Sequence, residues 1–308
     1  MKRLIPASVL CLPLTLLAQT FTYAPINVPG AAATEARGIN TSGEIVGFYK
    51  SASCTDYDVK VPNCPTHGFK YVNGSYIKLM VPNSVSTAIM GVNDLGDLVG
   101  FYTKADGSKH GFIWFHQNVV QTIDYPNPPS GLNTIPFGIN KAGTIVGGLW
   151  SINSNGTFPG GGWVWVNGKF SNMDPSRPNG VAPCCWSVNG IANSGVLTGE
   201  LFQDDFFEAW FKAGTDEDFY MKNGDSFGTG VNSGHDVVGY TSLSGWFARN
   251  IEANEGTNDS TETTPSFIPV MFPNSQATVP FGLNNLRGVV GTYADSSGQH
   301  GFLAKPNF

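Results

Sequence analysis

The sequence predicts an all-β fold: a six-bladed β-propeller with four antiparallel strands per blade, the ring closed by the N-terminal strand. Three observations predict it. First, one phrase returns six times. It reads Gly38-Ile-Asn-Thr-Ser-Gly-Glu-Ile-Val-Gly47, and its later copies begin at Gly91, Gly138, Gly190, Gly230 and Gly282. Successive copies are 53, 47, 52, 40 and 52 residues apart. A period of that size belongs to units that cannot bury their apolar face alone and must pack on neighbours. Second, each repeat contains four strand-like pieces, the content of a propeller blade. Third, the two ends complement one another. Residues 21–37 read as a fourth strand with its exit, and residues 282–308 hold three strands and then stop. Together they make 44 residues, one repeat.

The first piece of each repeat runs into Gly-Ile-Asn. The Asn-x-x-Gly that follows is turn chemistry, because Asn and Gly tolerate positive φ. The second piece, Glu44-Ile-Val-Gly-Phe-Tyr49 and its equivalents, is β-branched and aromatic, the composition of a strand. The third is His67-Gly-Phe, His110-Gly-Phe or His300-Gly-Phe, with Gly161-Gly-Trp, Glu208-Ala-Trp and Ser244-Gly-Trp in the divergent copies. Asn73-Gly74 and Asn167-Gly168 then predict two-residue hairpins into the fourth piece. Proline recurs where that piece ends, at Pro29, Pro82, Pro126, Pro175 and Pro273. An outer edge accepts proline because no ladder bond is required there.

Lys2 and Arg3 precede an apolar run from Leu4 to Leu17 that ends near Ala18 and Gln19. That pattern predicts a secretory signal peptide over residues 1–19, ahead of one domain over 20–308. It is too short for a membrane span, and no other window is apolar enough, so no membrane insertion is expected. Charged residues are 13% of the chain, about half the usual quarter. Without Lys2 and Arg3, 15 basic residues face 23 acidic ones. No basic cluster exists, which excludes nucleic acid and anionic membrane surfaces as partners. Cys54 and Cys64 bracket a polar stretch, and in an oxidising compartment they are expected to form a disulfide. A secreted or periplasmic monomer is expected, with an extracellular glycan or cell-surface polymer as its partner.

The phrase Gly-Ile-Asn-x-x-Gly-x-Ile-Val-Gly followed by His-Gly-Phe resembles the bacterial extracellular repeats known as HAF repeats, and the resemblance covers the mature chain. It implies an exported repeat protein and carries no catalytic residues over. Repeats four and five depart from the pattern by lacking the histidine.

Ligands of propellers meet the face that carries the loops between second and third strands. Here those loops fall at Tyr49–Thr66, Thr103–Lys109, Trp150–Gly160 and Gln203–Phe207, with Pro175–Ser187 joining two repeats. Trp150, Phe158 and Trp186 lie on neighbouring loops of this face and are candidate ligand-binding residues, since an indole stacks well on a sugar ring. Carboxylates gather where repeat four breaks the pattern: Glu200, Asp204, Asp205 and Glu208. Glu200 stands where other repeats have Phe48, Phe101 and Tyr240, and Glu208 stands where they have histidine. Two carboxyl groups about 5–9.5 Å apart can cleave a glycosidic bond, so these four are the catalytic candidates if the protein is a polysaccharide-cleaving enzyme, hydrolase or lyase. The leading expectation is a non-catalytic binding propeller. His67, His110 and His300 occupy one repeat position on separate blades and are read as hydrogen-bonding a nearby turn. No metal-ligand spacing or cofactor motif is present, and no Gly-x-Ser-x-Gly elbow.

Overall fold

A computed structural model describes residues 21–51, 65–151, 159–173, 185–203, 206–214, 216–220, 225–242, 244–251 and 267–308. The expected signal peptide, Cys54, Cys64, Phe158, Asp204 and Asp205 lie outside the described residues. Those residues form strands and turns, with no helix among them. After β1 (Phe21–Ile26) come six sets. Set one is β2 (Ala31–Ile39), β3 (Ile45–Ser51), β4 (Thr66–Val72) and β5 (Ser75–Leu79). Set two is β6 (Ser86–Val92), β7 (Leu98–Thr103), β8 (Lys109–Trp114) and β9 (Val120–Ile123). Set three is β10 (Asn133–Ile139), β11 (Ile145–Trp150), β12 (Pro159–Val166) and β13 (Lys169–Met173). Set four is β14 (Cys185–Ile191), β15 (Leu197–Gln203), β16 (Phe206–Ala213) and β17 (Asp216–Tyr220). Set five is β18 (Ser226–Val231), β19 (Val237–Thr241), β20 (Ser244–Ala248) and β21 (Phe267–Val270). The last is β22 (Ala277–Leu283), β23 (Val289–Asp295) and β24 (Gly298–Pro306). Within each set consecutive strands pair antiparallel. In the last, β1 supplies the fourth strand, from Phe21 opposite Pro306 to Ile26 opposite Gly301. One parallel bridge, Ala33 to Gln299, joins this set to set one, so eight strands form one continuous sheet.

The recurring phrase explains why each set has this shape. Its Asn-x-x-Gly turn places Gly43, Gly96, Gly143 and Gly195 at φ between +80° and +89°. His235 and Arg287 hold the same left-handed position at +59° and +61°, which costs a side-chain-bearing residue about 1 kcal/mol. Both are anchored: Arg287 Nε donates to Asp236 at 2.7 Å, and the His235 ring packs edge-on against Phe211. The phrase's last glycine is steric. A Cβ at Gly47, Gly100, Gly147, Gly199, Gly239 or Gly291 would lie 1.9–2.2 Å from a carbonyl oxygen of the preceding strand. The third strand sets an aromatic ring opposite each of these glycines, Phe69, Phe112, Trp163, Trp210, Trp246 and Phe302. All six rings are buried. The core is accordingly a series of layers between neighbouring sheets. Val46 of set one packs with Ile89, Leu98 and Phe112 of set two, and Val238 and Phe247 of set five with Phe21, Val289 and Phe302.

The first strands touch in sequence order, β2 on β6, β6 on β10, and on to β18 on β22, and β22 also touches β2. Side-chain amides follow the same order. Asn40 Nδ2 donates to Asn93 O at 3.1 Å, Asn93 to Asn140 O at 3.1 Å, and Asn140 to Ala192 O at 3.5 Å. Asn232 Nδ2 donates to Asn284 O at 3.3 Å, and Asn284 to Asn40 O at 2.9 Å. Each Oδ1 accepts the backbone N–H four residues on, at 2.8–3.0 Å, bracing its own turn. The fourth copy has Ala192 instead, with neither bond to give.

Asn73-Gly74 and Asn167-Gly168 form the expected left-handed hairpin turns. Two of the three histidines, His110 and His300, bond a nearby turn as expected, whereas His67 Nδ1 meets Met80 Sδ at 3.2 Å instead. All three rings lie 5.0–5.4 Å from the cross-strand tyrosines Tyr49, Tyr102 and Tyr293. His110 and His300 also reach the turn hydroxyls of Ser108 and Ser297, both at 2.9 Å.

Asn93→Ala would remove four hydrogen bonds from a buried amide and is expected to destabilise by about 2–4 kcal/mol. Ala192→Asn would supply the missing link and is expected to raise the melting temperature by about 2 °C. Thermal and urea denaturation of the two variants check both.

Candidate functional site

Every first strand carries a β-bulge at one repeat position, just before the first glycine of the phrase. The residue skipped by the ladder is Arg37, Met90, Phe137, Asn189, Thr229 or Phe281 in turn. A bulge re-aims a side chain out of the pleat. These six residues lie on strands that adjoin one another, so they are neighbours in space although about fifty residues apart in sequence. Three repeats supply apolar groups. Met90 and Phe137 cluster with Phe48, Ala88, Phe101, Ile135 and Trp150, and Trp150 meets Phe137 edge-on at 5.8 Å. The Trp150 Nε1–H is buried and has no hydrogen-bond partner.

The other three bulge residues, Arg37, Asn189 and Thr229, are polar. Arg37 lies 3.7 Å over the Phe281 ring and donates through Nε to Glu35 Oε2 at 2.9 Å. Glu200 is buried, 4% exposed, opposite Ser187 in the β14–β15 ladder. Ser187 Oγ lies 3.2 Å from Glu200 Oε1 and 2.7 Å from Asn189 Oδ1. Asn189 Nδ2 donates to Gly228 O of set five at 2.9 Å, which fixes the orientation of its amide. Burial pushes the Glu200 carboxyl up to about 7, against partial relief from Ser187 and Asn189. The Tyr240 phenol is raised in turn, chiefly by burial and then by the Glu200 charge, with Arg37 opposing. Tyr240 stacks on Phe227 at 4.6 Å. Among the described residues no group of three or more acidic, His or Cys side chains could hold a metal.

The structure separates several of the candidates from the sequence. Glu200 pairs with Ala209 whereas Glu208 pairs with Leu201. Antiparallel partners share a face and successive residues of a strand do not, so Glu208, next to Ala209, projects to the side of the sheet opposite Glu200. Trp150 and Trp186 also part. Trp150 packs with Met90 and Phe137. Trp186 packs with Met173, Val164 and Leu201 between sets three and four, its Nε1 donating to Met173 O. Sequence reasoning missed Arg37, Phe137, Ser187, Asn189 and Tyr240. Their one shared signal is position: Arg37, Phe137 and Asn189 lie directly before the phrase, Ser187 three residues before it, and Tyr240 directly after it.

No family model matches the chain, and no curated protein matches it. Solved structures do. One is a protein provisionally assigned as a gluconolactonase, 12% identical, covering 93% of this chain and 92% of its own, with a TM-score of 0.49. A second is the β-propeller domain of the Trilobed protease from Pyrococcus furiosus, 9% identical over 89% of this chain and 94% of its own, TM-score 0.43. A third is a variant of Aleuria aurantia lectin with α-methyl-L-fucoside, 9% identical over 92% and 97%, TM-score 0.46.

A carboxyl whose native value is raised from 4.5 to about 7 binds its proton more tightly folded than unfolded. The stability associated with that proton is fully present below about pH 4.5 and is lost as pH rises through 7. The loss is expected to be about 3 kcal/mol. Urea denaturation at pH 4.5 and 8.5 should show Glu200→Gln gaining on the wild type by roughly that amount between the two.

Proposed function

We propose that the six sets form one six-bladed ring of the HAF-repeat kind, exported behind the 1–19 segment, that serves as a non-catalytic glycan-binding module. The observation that supports this most is that one repeat position, the bulge, carries apolar Met90, Phe137 and Phe281 in three sets and polar Arg37, Asn189 and Thr229 in the other three. Structural repetition alone gives no reason for Arg37, Asn189 and Glu200 to stand where other repeats place Met90, Phe137 and Phe101. Concave sites with apolar walls and a few placed polar groups are typical of small-ligand recognition. The Asn-turn end of this axis is bridged, Asn193 Nδ2 donating to Asp94 Oδ2 at 2.8 Å across sets four and two. The ligand in this reading enters from the other end, past Trp150 and the loops after the second strands.

A glycan array followed by product analysis tests the reading. Binding is expected without new reducing or unsaturated ends. Trp150→Ala and Phe137→Ala should each weaken binding about tenfold or more, as loss of a stacking contact does. Trp186→Ala should act on stability instead. Undiminished binding in both the Trp150 and the Phe137 variant would displace the site.

A second reading has one observation in its favour: a buried carboxyl held up to about 7 is what a general acid requires. Glu208 cannot be its partner across the sheet, which leaves Asp204 and Asp205 for that role. Turnover on the array sugars that Glu200→Gln abolishes without loss of folding would favour this enzyme.

A further inference from the structure

We propose that Glu200 works as a protonated hydrogen-bond donor gating the axial site, so that its ligand is a neutral, hydroxyl-rich saccharide released when Glu200 ionises. This rests on the binding reading above and adds the chemical class of the ligand and its control by pH.

The proton count at Ser187 carries the inference. A serine hydroxyl has one proton, and Ser187 Oγ has two oxygen neighbours, Asn189 Oδ1 at 2.7 Å and Glu200 Oε1 at 3.2 Å. Asn189 cannot turn its amide round, because Nδ2 is held by Gly228 O at 2.9 Å. Its Oδ1 therefore only accepts, and the Ser187 proton belongs to the shorter contact. With that proton so placed, the contact to Glu200 is satisfied when the carboxyl carries a proton and donates to Ser187 Oγ, while Asn189, which also hydrogen-bonds the carboxyl, favours the ionised form. Ionisation breaks this order: Ser187 must turn to the carboxylate, and Asn189 Oδ1 loses its donor.

The surroundings then select the ligand. A methyl group at Gly148 would meet both Trp150 Nε1, at 2.7 Å, and Ser187 Cβ, at 3.1 Å. The partnerless indole N–H therefore lies beside the serine that holds Glu200. An oxygen acceptor of a ligand is the group that would complete it. The titratable neighbours are few. Tyr240 of β19 feels the Glu200 charge, Glu208 is on the far face of the sheet, and Arg37 of β2 is already paired with Glu35. With Arg37 so paired, a ligand carboxylate would meet no uncompensated cation, and an ionised Glu200 would repel it. Uncharged donors beside the Trp150 and Phe137 rings suit a neutral sugar.

Two measurements on the whole mature protein test this. Calorimetric titrations use neutral hexasaccharides of gluco, xylo, manno and galacto configuration, with hexagalacturonate and hexaguluronate as the charged probes. At least one neutral probe should bind at pH 6 and about 30-fold more weakly at pH 8.5, the fall expected when only the protonated form binds. At pH 8.5 Glu200→Gln should bind that probe at least tenfold more tightly than the wild type. Preference for a uronate, pH-independent binding, or no gain in the Gln variant would each overturn the proposal. The second measurement is an infrared pH titration of wild type carrying 13C-labelled glutamate, which needs no variant to fold. A buried protonated-carboxyl band should be present at pH 6 and gone by pH 8.5. Saccharide binding without that band would overturn the gate and leave the binding reading standing. A titrating band with no saccharide bound would overturn the ligand assignment and the binding reading together.

Discussion

A buried primary amide has two donors and an acceptor to satisfy, and the asparagine that five of the six phrases carry meets that demand in two directions at once. Its oxygen closes the turn it sits in, and its nitrogen reaches the carbonyl of the next turn along. The rest follows from that placement. Because the amide fixes how close two turns lie, the first strands must meet nearly backbone to backbone, which is why a Cβ at Gly38 would come within 3.1 Å of Gly91 Cα. Sheets held so close at one edge fan apart toward the other, and aromatic residues of the third strands fill the widening gap. The acid four residues after the asparagine, Glu44, Asp97 or Asp236, receives the amide's remaining N–H. In each of these copies it extends the network to a further side chain, Lys70, His116 or Arg287.

A scaffold this repetitive makes departures informative. The polar bulge residues belong to sets one, four and five, and sets four and five also lack the histidine of the third strand, having Glu208 and Ser244 there. Set four has lost both the turn asparagine, at Ala192, and the histidine of the third strand, at Glu208. It also carries Glu200, whose burial is unfavourable for a charged group and unhelpful to stability at neutral pH. A residue retained at the expense of stability, on the strand whose turn is least braced, is what a site imposed on a scaffold produces.

Much of the fold was legible in the sequence because the repeat fixes element identity six times over. The Asn-Gly hairpins and the role of His110 follow from local chemistry, and the pairing of β1 with β24 follows from the two ends of the chain making up one repeat. The site was less legible. A bulge interrupts the alternation of strand faces, so Arg37 and Phe137 could not be assigned a direction by counting. Glu200 and Glu208 are close in sequence and were grouped for that reason, yet the hairpin register turns them apart. Trp186 looked like a loop residue near a ligand face, but β14 begins at Cys185 and carries it into a sheet interface. Long-range neighbours such as Arg37 and Phe281 leave no sequence trace, since they meet only through the packing of the last set on the first.

Amide hydrogen exchange resolved by residue tests the bracing by asparagine most directly. Asp97, Thr144, Asp236 and Gly288 donate to an asparagine Oδ1, whereas Val196 faces Ala192 and has no such acceptor. The account predicts that the four exchange only through global unfolding, while Val196 exchanges orders of magnitude faster through local opening. Equal protection at all five would contradict it, because the turns would then be held by something other than the asparagine amide.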